Sequence, residues 1–481
     1  MSKYILFAQR IGLIGLTNLL VGLSSIFLLP ILTRTLSIEE YGIWAQIMVT
    51  IGLIPSMVML GLPYTMVRYL SSAKKREDIQ EGFYSIALVV LITSIISSLI
   101  LFEYSKSIAA MLFDDNQIIA KVLSIIIFIE CLNVLSLNFF RTFQKITKYS
   151  IFIFLQTYLT LILVAYFVLS GHGIVGAAKG ILITRIFLFC VMAPFIVSEI
   201  GIKVPKFKNL RTYLSFGLPT VPGNLSSWMV NSSDRYIIGM LLGTAFVGYY
   251  SPGYALGNII QMFVAPLALI LPAILSNYYD DSGMDETKTV LRYSLKYFLL
   301  FAIPSTFGLS LLSKPLLIIL STPEIASEGY LITPFVATSA VFFGASIVIL
   351  QIIILEKKTK ITGSIYIVSS IINLGLNLIL IPHIGIIGAA IATLVAYLFI
   401  FLSITYYSFR YLKFDIGSSF ISKSIFASIM MSLVILRWKP MGLQSVIATI
   451  GVCAIVYGAV LLLLKGMTRE EITFFRNVFR I

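Results

Sequence analysis

Fourteen apolar runs recur along this 481-residue chain, and no other feature limits its fold so tightly. Each is about 20 residues long, enough for a helix to cross a hydrocarbon layer of about 30 Å. Lipid offers no water to backbone N–H and C=O groups, so each spanning segment must close its own hydrogen bonds as a helix. The expected fold class is an all-α polytopic membrane protein. Hydrophobic residues make up 58% and charged residues 12%, a composition no soluble domain shows. The first run lacks a small-residue cleavage site and is expected to remain as a helix. Cys131, Cys190 and Cys453 fall inside apolar runs at no metal-ligand spacing, which points to packing residues.

The chain also repeats itself. Residues 144–178 align without a gap onto residues 356–390. Both copies carry K-x-T-K (Lys145, Thr147, Lys148; Lys357, Thr359, Lys360) and then G-I-x-G-A-A (Gly173 to Ala178; Gly385 to Ala390). A weaker echo, at an offset of 206, pairs Leu36–Gly42 with Leu242–Gly248. Self-similarity of this kind is typical of transporters, in which two related bundles rock about a shared site. The expected organisation is a six-helix bundle over 1–205, a second over 206–410, and two more spans with a tail over 411–481. Six spans per repeat is even, so both halves insert the same way, related by a pseudo-twofold axis along the membrane normal.

Most of the 35 lysines and arginines fall on one side when the N-terminus is placed in the cytoplasm. The clusters Arg68–Lys74–Lys75–Arg76, Arg141–Lys145–Lys148, Lys203–Lys206–Lys208–Arg211 and Lys357–Lys358–Lys360 share that side. The positive-inside rule then gives cytoplasmic N- and C-termini. The net charge of +14 is thus mostly topological; anionic lipid is partner enough for it, and nucleic acid is not expected. No G-x-x-x-x-G-K-[ST] loop occurs, so ATP chemistry is not expected, nor is any metal or cofactor. His172 and His383 sit in short outer turns and read as solvated surface.

Charges inside apolar spans are expensive and normally face a cavity or one another. Five qualify: Glu130, Lys179, Arg185, Asp234 and Arg235, with Arg34 at their margin. At the repeat offsets their counterparts are uncharged, so the shared scaffold does not demand them. Helix rise puts Glu130 and Arg185 near mid-membrane and Lys179, Asp234 and Arg235 about 10 Å further out. A surplus of cation with guanidinium forks suits a phosphate-bearing substrate. Glu130–Arg185 also reads as a structural ion pair. Asp234 and Arg235 are adjacent, about 100° apart on a helix, and are expected to find other partners.

Two polar stripes accompany the charges. Asn224, Ser227, Asn231 and Asp234 share one face of span 7; Tyr250, Tyr254, Asn258 and Gln261 do so in span 8. Amides, hydroxyls and aromatic faces suit sugar rings, although membrane helices also use such groups to bind one another. Pro219, Pro222, Pro266 and Pro272 mark kinks in these two spans.

The residues Leu32–Gly42 (L-T-R-T-L-S-I-E-E-Y-G), Ser232–Gly239 (S-S-D-R-Y-I-I-G), Val247–Tyr250 (V-G-Y-Y) and Asn373–Thr393 resemble the polysaccharide transporter family. That family belongs to the superfamily of multidrug exporters, oligosaccharidyl-lipid flippases and polysaccharide exporters. The resemblance implies a V-shaped pair of six-helix bundles that flips a polyprenyl-diphosphate-linked glycan to the outer leaflet by alternating access. Related peptidoglycan-precursor flippases use cavity arginines for the diphosphate and two extra C-terminal helices as a lipid groove. By that likeness Arg34, Arg185 and Arg235 would take the cationic role, and spans 13 and 14 the groove; relatives often have only twelve spans.

The leading expectation is therefore a non-enzymatic flippase in a bacterial or archaeal cytoplasmic membrane, driven by H+, Na+ or the membrane potential. Its substrate would be an O-antigen, capsule or exopolysaccharide unit, and a glycan polymerase would be a natural partner. The diphosphate would rest on Arg185, Lys179 and Arg235, and sugars on the polar stripes. A drug/cation antiporter of the same superfamily would need carboxylates in surplus over cations. A membrane-embedded glycan polymerase or ligase would need a long outer loop, and none occurs.

Overall fold

The computed structural model describes residues 3–467, apart from 74, 282 and 283, together with Glu471. Lys74 of the first basic cluster lies outside the described residues. The long helices, in chain order, are α1 (Lys3–Thr35), α2 (Ile38–Val58), α3 (Arg76–Glu103), α4 (Gln117–Thr142), α5 (Ile146–Leu169), α6 (Gly173–Ile200), α7 (Val221–Leu242) and α8 (Thr244–Asn258). They continue with α9 (Met284–Leu320), α10 (Ile332–Leu355), α11 (Thr359–Ile384), α12 (Ile386–Ser408), α13 (Ser418–Trp438) and α14 (Leu443–Leu463). Among the described residues 13 stretches are long and apolar enough to span a membrane, and α7 is the long helix that falls short. Its polar stripe and its Asp234–Arg235 pair lower its hydropathy. The protein is an all-helical, multi-pass membrane protein.

Because the helices are apolar on all sides, the molecule also presents hydrophobic side chains outward. On α3, Ile92, Ile96 and Leu99 are exposed at spacings of four and three, an apolar stripe suited to face lipid. Short connections close with local caps. Ser37 and Glu40 form a reciprocal capping box at the start of α2. Glu40 does more: its Oε1 also accepts the backbone N–H of Ile174 at 3.2 Å, in the first turn of α6. Gly173 makes room, since a Cβ there would lie 2.7 Å from Glu40 Oε1, and its φ of +54° favours glycine.

The chain gathers into two compact units. The first comprises Met1–Ser251 with Tyr366–Ala392, the second Pro252–Ile365 with Thr393–Ile481. The first unit centres on Ile47, Ile86, Ile126, Phe140, Ala177 and Ile181, all fully enclosed. The small residues of G-I-x-G-A-A serve close packing as expected, with Ala177 and Ala178 buried. In the second unit, Tyr457 of α14 ties α9 to α13: its hydroxyl donates to Leu300 O at 3.0 Å and lies 2.8 Å from Ser424 Oγ.

The weak echo has a structural counterpart in the first unit. Gly42 and Gly248, equivalent at the 206 offset, meet where the starts of α2 and α8 cross. A Cβ on Gly42 would lie 1.9 Å from Thr244 O, and one on Gly248 would lie 2.3 Å from Ile38 O. Ile38 and Thr244 are themselves equivalent at that offset, so the contact is reciprocal. The K-x-T-K copies, by contrast, diverge. Lys145 pairs with Glu199, and Lys148 does so at 2.7 Å. The counterpart of Glu199 is Tyr411, and Lys357, Lys358 and Lys360 lie exposed.

The prolines interrupt span 7 as expected: helix Leu210–Gly217 runs into a 3-10 turn, Leu218–Thr220, that holds Pro219, and α7 starts directly after it with Pro222 in its first turn. The break in span 8 is real: α8 gives way to a 3-10 turn, Ile259–Phe263, before helix Ala265–Asp281.

Gly42→Ala should destabilise the fold by about 1–3 kcal/mol through overpacking against a backbone that cannot yield. A thermal melt in detergent checks this, with Gly451→Ala as the control, since open space surrounds that α14 position.

Candidate functional site

α7 carries the first cluster. Asp234 is buried, with 1% of its surface exposed. Its Oδ1 accepts the Arg235 backbone N–H at 2.9 Å and Arg235 Nη1 at 3.2 Å. Its Oδ2 accepts the Tyr250 hydroxyl at 2.5 Å. Arg235 Nη1 also donates to Asn231 O at 3.0 Å, and the guanidinium lies 5.8 Å from the centre of the Tyr250 ring. Asp234 and Arg235 thus find other partners as expected, in Tyr250 and Asn231, but the expectation that they form no well-aligned pair is corrected by the 3.2 Å bond between them. The long arginine stem curls back along the helix by one turn, which removes the angular separation of their Cα positions.

The rest of the α7 stripe is partly buried and locally bonded. Asn231 Nδ2 donates to Ser227 O at 2.8 Å, and Asn224 Oδ1 accepts from the Tyr64 hydroxyl at 3.2 Å. On the opposite side Ser233 Oγ donates to Asn373 Oδ1 at 3.4 Å, and Asn377 Nδ2 donates to the same oxygen at 3.0 Å. Both α11 asparagines are fully buried, and Asn373 Nδ2 and Asn377 Oδ1 have no hydrogen-bond partner among the described residues. Leaving such groups dry costs about 1–3 kcal/mol each, a cost that a polar ligand or water would remove. Sequence reasoning quoted these asparagines only as part of a motif. Their i, i+4 spacing inside an apolar run was the available signal.

A second cluster lies between α4, α5 and α6. Arg185 Nε lies 2.5 Å from Glu130 Oε2, and both residues are buried. The two atoms are poorly aligned for a hydrogen bond, so the contact is an ionic one. With its amide oxygen toward the guanidinium, Gln156 accepts from Nη1 at 3.1 Å and Nη2 at 3.2 Å. Asn133 Nδ2 donates to Arg185 O at 2.9 Å. The structural ion pair read from the sequence is formed. Gln156 and Asn133, two mid-span amides, escaped that reading.

The remaining candidates are more dispersed. Lys179 is exposed on α6 and makes no ion pair among the described residues. Arg34 is exposed in the last turn of α1. Tyr254 is buried, Asn258 is half-buried at the end of α8, and Gln261 lies in the 3-10 turn. That turn rewinds the backbone, so the helical spacing assumed for Gln261 does not hold. With Glu130 matched to Arg185 and Asp234 to Arg235, the one surplus positive charge among the five intramembrane groups rests on Lys179.

The sequence profile of a family described as "Polysaccharide biosynthesis protein" matches residues 31–326. The chain belongs to this family. Two curated relatives come from Haloferax volcanii (strain ATCC 29605 / DSM 3757). One, "Probable low-salt glycan biosynthesis flippase Agl15", is 24% identical over 285 residues, 58% of this chain and 60% of its own length. The other, "Probable flippase AglR", is 27% identical over 264 residues, 51% of this chain and 52% of its own length. The chain thus spans little more than half the length of these relatives. Among solved structures, lipid II flippase MurJ in an inward closed conformation superposes with a TM-score of 0.76 at 18% identity, covering 99% of this chain and 100% of that one. An inward-facing multidrug resistance MATE family transporter gives 0.70 at 14% identity, covering 82% and 93%. These likenesses show the family member to have the all-helical MurJ/MATE transporter fold.

Glu130→Ala or Arg185→Ala alone should each destabilise the protein by about 3–5 kcal/mol, because each leaves a buried charge uncompensated. The double substitution Glu130→Leu/Arg185→Met should cost less than either. Detergent melts of the three variants check this double-mutant pattern.

Proposed function

We propose that this protein is a flippase carrying a polyprenyl-diphosphate-linked oligosaccharide from the inner to the outer leaflet by alternating access, without enzymatic chemistry. The observation that carries the reading is that both curated relatives bear the name flippase, one of them in glycan biosynthesis. The site chemistry agrees with it. Arg235 presents a guanidinium held from behind by Asp234, and Lys179 supplies an unneutralised ammonium. Arg34 and Arg185 complete the cationic set for the diphosphate. Asn224, Asn231, Tyr250, Tyr254, Asn258 and Gln261 would contact sugar hydroxyls and ring faces. Glu130 holds Arg185 in place.

The halves would be residues 1–205 and 206–410, with 411–481 contributing α13 and α14. An apolar cavity of about 500 Å3 between α9, α13 and α14 supports a groove for the prenyl tail; Phe301, Leu312, Met431 and Tyr457 line it. The protein would sit in a bacterial or archaeal cytoplasmic membrane with both termini inside, coupled to H+, Na+ or the membrane potential. A glycan polymerase would take the O-antigen, capsule or exopolysaccharide unit on the outer side.

A drug/cation antiporter is the second reading, favoured by the buried Asp234 carboxylate. Against it stands the pairing of Asp234 with Arg235, which neutralises that carboxylate. Drug accumulation in cells with and without the gene separates the two readings.

Deleting the gene should accumulate a lipid-linked glycan on the inner face. Arg235→Lys keeps the charge but loses the bidentate fork, and should lower export about tenfold or more at unchanged membrane level. Normal export by both Arg235→Lys and Arg235→Ala would defeat the assignment.

A further inference from the structure

A second cavity, of about 500 Å3, lies in the first unit beyond the apolar part of the bundle, between the start of α3 and the segment after α6. Unlike the apolar cavity between α9, α13 and α14, it is walled by polar groups. Glu77, Asp78 and Glu81 face Lys203, Lys206 and Lys208, so its side chains balance in charge. Asn209 and Thr212 add an amide and a hydroxyl, and Tyr69 and Tyr213 add aromatic rings 5.6 Å apart.

The walls are fixed from behind. Glu81, itself buried, accepts the backbone N–H of Lys206 at 2.7 Å and of Lys208 at 3.5 Å. Arg76 Nε donates to Ile200 O at 3.1 Å, and the Tyr84 hydroxyl donates to Gly201 O at 2.6 Å. Thr65 Oγ1 donates to Tyr213 O at 3.0 Å. Burial pushes the Tyr213 phenol up from its ordinary value, and the Asn209 side chain hydrogen-bonds to it. A loop strapped this way forms its site before any ligand arrives, which lowers the entropic cost of binding.

Donors and acceptors mixed at zero net charge, beside aromatic rings, offer a phosphate no net electrostatic attraction. They suit a polyhydroxylated neutral ligand, whose hydroxyls both donate and accept and whose ring carbons pack on aromatic faces. We infer that this cavity is a carbohydrate site that receives the glycan head of the lipid-linked substrate on the cytoplasmic side before translocation. The inference rests on the flippase reading and on the cytoplasmic placement given by the basic clusters. It assigns glycan selectivity to residues apart from those proposed to hold the diphosphate.

The probe is the free oligosaccharide released by mild acid from the lipid-linked pool that a deletion strain accumulates, stripped of both phosphate and prenyl chain. It is titrated against the detergent-purified full chain. The wild type should bind it, and Asn209→Ala/Thr212→Ala should bind roughly tenfold more weakly or worse, the loss expected for a hydrogen bond or two. Both positions are exposed, and because the Asn209 side chain hydrogen-bonds the Tyr213 phenol, Thr212→Ala alone is titrated beside the double variant as the lesion that leaves that bond intact, with the same expected direction. Lys206→Ala provides a second, independent lesion with the same expected direction. Equal affinity of wild type and these variants overturns the inference. So does a wild type that binds the intact lipid-linked glycan but not the freed sugar. A deletion strain that accumulates no lipid-linked glycan overturns the flippase reading, and this inference with it.

Discussion

The reciprocal crossing of α2 and α8 is the contact on which the first unit turns. Two helix starts approach until the carbonyls of Ile38 and Thr244 fill the space where side chains would stand on Gly248 and Gly42. Backbone packed against backbone has no rotamers through which to relax, so it fixes spacing more firmly than interdigitated leucines do. Lipid supplies no hydrophobic drive for helices to associate, and close packing of this kind must supply the attraction instead. That the four residues are equivalent at one sequence offset makes the crossing the physical trace of the repeat.

Against this scaffold the intramembrane charges are economical. Arg185 and Arg235 each have one carboxylate close by, and each pair is fastened by neighbouring groups: Gln156 and Asn133 in the first case, Tyr250 and Asn231 in the second. A buried pair of this sort adds little to stability, yet removing one member is severe. What it does provide is a cation held in a fixed place. Arg235 is anchored through Nη1 by Asp234 and Asn231 and lies against the Tyr250 ring.

The fold was legible because hydropathy is a long-range, coarse signal: a run of about 20 apolar residues reads as a span whatever its neighbours are. The polar detail was less so. Asp234 and Arg235 were expected to form no well-aligned pair, yet they bond, since helical angle describes Cα positions and says nothing about a flexible stem bending back. Gln261 shared a face with Tyr254 only while the helix was assumed unbroken, and the 3-10 turn at Ile259–Phe263 ended that. Gln156 and Asn133 were not singled out, and Asn373 and Asn377 stood only inside a quoted motif. Their importance lies in what faces them across other helices, which spacing along one helix cannot reveal. The charge-balanced cavity by Lys203–Lys208 was masked too, because a basic cluster reads as topology until its acidic wall is seen.

Glu40 closes its own helix start and, at the same time, accepts the first-turn amide of Ile174. One carboxylate thus serves as hinge pin for α2 and α6. If either helix end tilts, the other must follow, or an amide loses its acceptor at the membrane edge. Rearrangement of this half would then move as a coupled pair of rods, with the turn at Gly173 as the narrow place where the coupling is made.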